Sequence, residues 1–259
     1  MAFTYNTRVV VSGKQVEVYK YEKTIWRDFV RTRDSVVNSH EEPKQLDILE
    51  RLKKQEIQRA SSLNRTRREI KRLINSNPQL NKFLTLTFAN STTDLKEANY
   101  IFNKFILRMN YKYPNFEYLA VPEFQKDVDF YGRKKENGGS VHYHVLCNLP
   151  FVHYSELTQI WGQGNIDIKK VDDVTNLGAY VCKYLSKDMF DERTFNKKKF
   201  FRSQTLKTPV EILGWSAKKF IEKYLAESKP TYEITYDSER GGKVDYKSFV
   251  LDNYLTKRL

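Results

Sequence analysis

The sequence contains only two cysteines, Cys147 and Cys182, among 259 residues. Two thiols cannot form a framework of several disulfides, and neither cysteine belongs to a closely spaced pair of the kind that binds zinc. Both lie in apolar or helical contexts. We therefore expect free thiols in a reducing compartment.

Long apolar runs are also absent. No stretch approaches the roughly 20 apolar residues that a membrane-spanning helix needs. The first residues, MAFTYNTRVVVSGK, lack the apolar stretch of a secretory signal. We expect an intracellular protein without a membrane partner.

Acidic residues are few relative to basic ones: 32 against 45, which gives a net charge of +13. Such an excess favours a polyanionic partner, because cations placed beside phosphates release condensed counterions. The strongest basic run, NRTRREIKRLINSN, ends a helical pattern over about residues 43–75. Four of its cations are candidates to track a DNA backbone: Arg67, Arg68, Lys71 and Arg72. The alternative is a solvated helix face, which is the usual role of charged helical residues.

Strand and helix patterns alternate through the centre of the chain. Strands are predicted at 83–88, 116–124, 140–148 and 165–171, and helices at 94–111, 155–161 and 175–188. This order predicts an α+β fold, in which helices pack on one face of a central antiparallel sheet and the other face is open to a ligand.

The chain ends differ from this core. Residues 8–21 have the alternation of a β-hairpin around Ser12-Gly13-Lys14. We divide the chain into an N-terminal hairpin and basic helical extension (1–75), a core domain (76–210) and a C-terminal extension packed on the core (211–259).

The segment Val141-His142-Tyr143-His144-Val145 places two histidines two positions apart on a predicted strand. Side chains alternate along a strand, so His142 and His144 share one face and can share one divalent ion. The alternative is a pair of ordinary half-buried histidines.

A third ligand is expected from the preceding strand, YLAVPEF, which carries Glu123. Folding the chain back around Gly132-Arg133 places residues 123 and 142 opposite each other. A carboxylate beside two imidazoles suits Mg²⁺ or Mn²⁺. The alternative is a surface glutamate at a strand end, and the Asn137-Gly138-Gly139 turn favours an asymmetric hairpin.

The predicted helix at 175–188 carries two stripes. The apolar one, which would seat the helix on the sheet, comprises Val174, Leu177, Val181 and Leu185. The other, at i, i+3, i+4 and i+7, comprises Tyr180, Lys183, Tyr184 and Lys187. The alternative is an exposed amphipathic helix whose tyrosines contribute to packing.

Together these residues fit one chemistry. A phenol has a pKa of about 10, so it needs activation as a nucleophile. A divalent metal can polarise a phosphate, and lysines can stabilise the charge that develops on it. The histidine pair, the upstream carboxylate and the Tyr-Lys helix supply every part of a phosphodiester transesterification.

The segments FLTLTF, VHYHVL and LGAYVCKYLSK resemble motifs one, two and three of the HUH endonuclease replication initiators, in the order and approximate spacing of that family. The spacing of Tyr180 and Tyr184 is similar to the two-tyrosine branch found in single-stranded DNA phages and related plasmids. The resemblance covers about residues 60–210, including the basic helix and SQTLKTP. One departure is the long, charged loop from Lys126 to Ser140.

The resemblance implies an HUH, ferredoxin-like (RRM-like) fold and a role for each motif residue. His142 and His144 would be the pair that binds Mg²⁺ or Mn²⁺, and Glu123 the acidic third ligand. Tyr184, followed by Lys187, would be the nucleophile and Tyr180, followed by Lys183, the second one. FLTLTF, with Thr85 and Thr87, is expected to be central in the sheet and to position DNA.

The implied protein is a rolling-circle replication initiator in the cytoplasm of a bacterial host. It would nick single-stranded origin DNA, form a 5′-phosphotyrosine link and leave a 3′-OH that primes a host polymerase. Gly241-Gly242-Lys243 lacks the rest of a phosphate-binding loop. A host helicase partner is therefore implied.

Three other functions remain open. A mobilisation relaxase of this superfamily usually has three clustered histidines and an N-terminal tyrosine, and a single-tyrosine transposase is typically shorter. A non-catalytic, sheet-based binder of single-stranded nucleic acid would use the aromatic residues, 14% of the chain, for base stacking. Such a binder has no need of a histidine pair.

Overall fold

The computed structural model of the chain describes residues 3–27, 48–128, 131–135, 138–171, 178, 182, 192–194 and 197–251. Its elements form an α+β fold with two antiparallel five-stranded sheets, which confirms the predicted fold class. The chain divides into two compact units, one of residues 63–207 and one of residues 1–62 and 208–259. The three-part division made from the sequence stays a prediction.

In chain order, the described elements are β1 (Phe3–Ser12), β2 (Gln15–Arg27), α1 (Ile48–Ser76), β3 (Lys82–Thr87), α2 (Leu95–Lys112), β4 (Tyr118–Phe124), β5 (Val141–Cys147), α3 (Tyr154–Trp161), β6 (Ile166–Lys170), a 3-10 turn (Glu192–Thr194), β7 (Phe201–Arg202), β8 (Val210–Leu213), α4 (Gly214–Tyr224), β9 (Tyr232–Ser238) and β10 (Gly242–Val250). From β3 to β6, each strand and helix agrees with its predicted position to within two residues. Of the predicted helix at 175–188, only Gly178 and Cys182 are described, and both are helical.

The sheet of the 63–207 unit has the strand order β6-β3-β5-β4-β7. The strand FLTLTF was expected to be central. It lies inside the sheet, between β6 and β5, whereas the middle position belongs to β5, which carries the histidines. β5 therefore has a neighbour on each side that can contribute side chains to the same face.

One face of this sheet packs against α2 and α3. Alternate residues of β3 and β5 are buried there, together with Phe102 and Phe105 of α2 and Trp161 of α3. The ring of Phe102 stacks on Tyr143 of β5, with 4.3 Å between ring centroids. Asp94 caps α2 by accepting a hydrogen bond from the Lys96 backbone N–H at 2.9 Å. These contacts fix which residues of β5 face the helices.

The opposite face is not entirely open. A second apolar cluster joins α1 to the sheet, with Leu63, Ile70, Leu73 and Ile74 of α1 and Leu119, Val121 and Leu146 of β4 and β5. The helical spacing of the apolar residues on α1 produces this contact. The sequence predicted a free second face, but α1 covers part of it and leaves the polar residues of the strands beside it.

The other unit contains the second sheet, with the order β8-β1-β2-β10-β9. Its β1 and β2 are the predicted hairpin, longer than expected, with Gly13 at φ 62° in the turn. The apolar side of α4, with Ala217 and Phe220, packs on alternate valines of β1 and β2. The N-terminal and C-terminal segments thus share one sheet, which the sequence did not predict.

No helix in the described part of the chain is both long and apolar enough to cross a membrane.

Both cysteines are free thiols, as predicted. Burial raises the pKa of each thiol, Cys147 and Cys182, to about 12, so neither is a reactive thiolate at neutral pH.

Candidate functional site

The two histidines of β5 share one face of the 63–207 sheet, as predicted. His142 and His144 are half-buried, whereas Val141, Tyr143 and Val145 are fully buried under α2. This alternation follows from the two-residue period of a strand. Both imidazoles therefore lie on the face that α1 covers only in part.

Glu123 of β4 pairs directly with His142 of β5. This confirms the register that was expected from equal distances to the turn. The Glu123 carboxylate contacts Nε2 of His144, the next residue of β5 on the same face. One carboxylate oxygen and one imidazole nitrogen are thus directed at the same point.

Thr85 of β3 completes the surroundings of His144. It pairs with His144 across the sheet, and its hydroxyl lies within hydrogen-bond distance of Nδ1, at 3.2 Å. The ring of Phe83 stacks on the imidazole, with 5.5 Å between centroids. Thr87 pairs with His142 in the same register. The structure thus adds a contact to His144 to the predicted DNA-positioning role of Thr85, which stays a prediction.

Gln125, which the sequence analysis missed, contacts the other imidazole. Its amide nitrogen lies 2.5 Å from Nε2 of His142, and its side-chain oxygen accepts a hydrogen bond from Lys135 Nζ at 3.3 Å. Gln125 stands two residues after Glu123, so strand alternation was the signal that it shares this face. We call Thr85, Glu123, Gln125, His142 and His144 the polar cluster.

The backbone around Gln125 is tightly packed. Gln125 N–H donates to the Ser140 carbonyl at 2.9 Å. A Cβ added to Gly139 would lie 1.7 Å from the Gln125 carbonyl oxygen, so only glycine fits there. The long, charged loop from Lys126 to Ser140 therefore begins and ends in a fixed pairing beside the polar cluster.

The surroundings of His142 lower the pKa of its imidazole. Burial is the largest cause, and the neighbouring His144 and Lys135 act in the same direction, whereas Glu123 opposes them. His142 is therefore neutral at neutral pH, and its Nε2 lone pair can accept the Gln125 N–H. The neutral imidazole is also the form that binds a metal.

The donor types of the polar cluster fit a divalent cation. Two imidazole nitrogens and a carboxylate oxygen, with the Gln125 amide oxygen nearby, form a mixed nitrogen and oxygen set. Among the described residues, no three His, Cys, Asp or Glu side chains are grouped closely enough to hold one ion. In the arrangement present, Glu123 and His144 contact each other while His142 contacts Gln125.

The predicted basic residues lie on α1. Arg68 is exposed, and Arg67, Lys71 and Arg72 are half-buried. Gly178 and Cys182 lie against the same stretch of helix. Gly178 N–H donates to Asn75 Oδ1 at 2.9 Å, and a Cβ on Gly178 would lie 2.4 Å from the Lys71 carbonyl oxygen. The Cys182 thiol donates to the Arg67 carbonyl at 3.6 Å.

The four predicted catalytic residues, Tyr180, Lys183, Tyr184 and Lys187, lie outside the described residues. Of their segment, the structure describes only Gly178 and Cys182.

Comparison with models of known protein families relates the chain to DNA replication. The model of a family of replication-associated proteins, of the ORF2 type, matches residues 81–189. The matched segment contains β3, β4 and β5 with the whole polar cluster, and the tyrosines Tyr180 and Tyr184. No curated protein matches the chain, and no solved structure does.

Proposed function

We propose that this protein is a rolling-circle replication initiator that nicks single-stranded origin DNA with a tyrosine nucleophile. One observation carries the proposal: the segment similar to replication-associated proteins coincides with the polar cluster on a half-open sheet face. Sequence similarity supports a role in replication, and the cluster supports phosphodiester chemistry in that role. Such a protein binds single-stranded DNA.

His142, His144 and Glu123 would hold one Mg²⁺ or Mn²⁺ ion, with the Gln125 amide oxygen as a further donor within reach. Bound there, the cation would supply Lewis-acid polarisation of the scissile phosphate. The protein prepares these donors by two devices. Burial keeps His142 neutral, and Thr85 with Phe83 fixes the ring of His144 so that Nε2 is directed at Glu123.

Tyr184 would attack the scissile phosphorus through its phenolic oxygen. A bond then forms between this oxygen and the 5′-phosphate, and the bond to the 3′-oxygen breaks, leaving a 3′-OH. Lys187 and Lys183 would stabilise the negative charge on the phosphate. Tyr180 would act in the second transfer, which rejoins the strand at termination.

The contacts of Gly178 and Cys182 support this assignment. Both lie against α1. At about 100° per residue, positions 180 and 184 of a regular helix lie roughly opposite positions 178 and 182. Packing against α1 therefore makes no demand on the two phenols, which leaves them for chemistry.

The basic residues of α1 would contact the DNA backbone, with the exposed Arg68 best suited to do so and with Arg67, Lys71 and Arg72 beside it. Thr85 and Thr87 would lie close to the bound strand, since they share a face with the histidines. The 3′-OH would serve a host polymerase, and a host helicase would unwind the duplex.

The direct test is adduct formation. The full chain is incubated with Mn²⁺ and single-stranded origin DNA of its own replicon, and the products are separated under denaturing conditions. We expect a DNA adduct that survives denaturation and is absent when the metal is chelated. DNA binding without any adduct, at any Mn²⁺ concentration, would instead favour a non-catalytic binder.

Thr85→Val is expected to raise the Mn²⁺ concentration for half-maximal adduct formation about tenfold, because removing a contact that orients a metal-bound imidazole weakens metal binding on that scale. Valine keeps the shape of threonine and removes only the hydroxyl near Nδ1 of His144. Thr87→Val is the matched control, since Thr87 lies on the same strand and face. Titrating Mn²⁺ against adduct yield measures the change. An unchanged requirement in Thr85→Val would contradict the orienting role.

A further inference from the structure

A cavity of about 440 Å³ lies on the helix side of the 63–207 sheet, away from the polar cluster. It is half open to solvent and falls in the size range of small-ligand sites. Its walls come from the start of α2, the end of β4 and the segment around residues 193–197. We call it the Lys96 cavity.

Three cations line this cavity: Lys96, Arg193 and Lys197. The only acidic group on its wall, among the described residues, is Asp94, which already accepts the Lys96 backbone N–H at the start of α2. Neither Lys96 nor Lys197 forms an ion pair with a described residue. The cavity therefore has an excess of positive charge that suits an anion.

Arg193 is held in place at the cavity wall. Its guanidinium lies over the ring of Phe124, 3.9 Å from the centroid. Its Nη1 donates to Asp127 Oδ1 at 3.1 Å, and the same oxygen accepts the Gly139 N–H at 2.7 Å. Arg193 thus connects the cavity to both ends of the loop that carries Lys135.

The Lys96 cavity is close to the polar cluster through the strand end. Phe124 lines the cavity, and its chain neighbours Glu123 and Gln125 belong to the cluster on the other face. Alternation at the end of β4 therefore separates the two sites by the thickness of one strand. A polynucleotide that passes over this edge of the sheet reaches both sites.

We propose that the Lys96 cavity binds a backbone phosphate of the single-stranded DNA, on one side of the scissile phosphodiester. Lys96 and Lys197 supply the cations, and the guanidinium of Arg193 offers a flat surface for a base. This inference rests on the proposed function, because it takes the strand to be cut at the polar cluster. It adds a second point that fixes the path of the strand.

The test uses the full chain and a fluorescently labelled oligothymidylate, with binding measured across a series of salt concentrations. For the double variant Lys96→Ala, Lys197→Ala, we expect about tenfold weaker binding at low salt. We also expect the slope of log affinity against log salt to fall by about 0.7 for each phosphate interaction that the substitutions remove. The matched control is Lys104→Ala, Lys198→Ala, which removes the same charge from α2 and the segment after residue 196 but does not touch the cavity.

Equal weakening in the two double variants would reduce the effect to general charge and overturn the proposal, as would an unchanged slope in the first. A selective weakening in the first variant supports it. Adduct formation by the wild-type chain is measured in parallel. Selective weakening without any adduct would leave the cavity assignment standing and remove the nicking function, whereas an adduct with no selective weakening would do the reverse.

Discussion

Tyr184→Phe is expected to abolish the covalent DNA adduct, with a fall in first-strand cleavage of about a thousandfold or more. The substitution removes a single oxygen atom, the proposed nucleophile, and keeps the ring that contributes to packing. Metal binding and DNA binding should be unchanged, because the polar cluster belongs to β3, β4 and β5. Denaturing electrophoresis of labelled origin strand with Mn²⁺ measures the loss.

Tyr180→Phe is the internal comparison for this experiment. It should leave first cleavage within a few-fold of wild type and mainly reduce transfer to a second strand, since the second phenol acts after the first adduct has formed. A double Tyr→Phe variant that still cleaves as well as wild type would remove both residues from the mechanism. Loss of first cleavage in Tyr180→Phe alone would reverse the order of the two phenols.

Local patterns in the sequence predicted the central unit well, because the patterns themselves position its strands. Alternation placed His142 and His144 on one face, and equal spacing from the turn placed Glu123 opposite His142. Both follow from the period of a strand and the geometry of a hairpin. These two rules were enough to bring the predicted donors together.

Contacts between distant segments were less accessible. The sequence showed an amphipathic α1 but not that Ile70 and Ile74 would cover part of the second sheet face. It also gave no sign that β10 pairs with β2 in a common sheet. An apolar stripe states that a helix is buried on one side, but it does not name the surface that buries it.

Gln125 illustrates a different limit. Its position two residues after Glu123 was visible, yet an amide carries no charge and titrates nowhere near neutral pH, so it attracts no attention as a site residue. Only the pairing of Gln125 with Ser140 and its contact with His142 assign it to the cluster. Polar residues next to a predicted ligand on the same strand face therefore belong among the candidates.

His144→Ala and His142→Ala are each expected to remove metal-dependent adduct formation, by about a thousandfold, while salt-sensitive binding of single-stranded DNA is kept. The imidazoles are the proposed nitrogen ligands, whereas cations away from the cluster, such as Arg68, supply the attraction for the backbone. Adduct yield against Mn²⁺ concentration, together with DNA affinity against salt, separates the two effects.

The matched control for these variants is His153→Ala. His153 is exposed, lies just before α3 and contacts Ser155, so its loss changes the same residue type outside the polar cluster. We expect wild-type adduct formation from it. Circular dichroism establishes that His144→Ala keeps its fold, since the imidazole also packs on Phe83. If both cluster variants formed the adduct normally with Mn²⁺, the histidine pair would have no part in metal binding, and the phenol would need another source of activation.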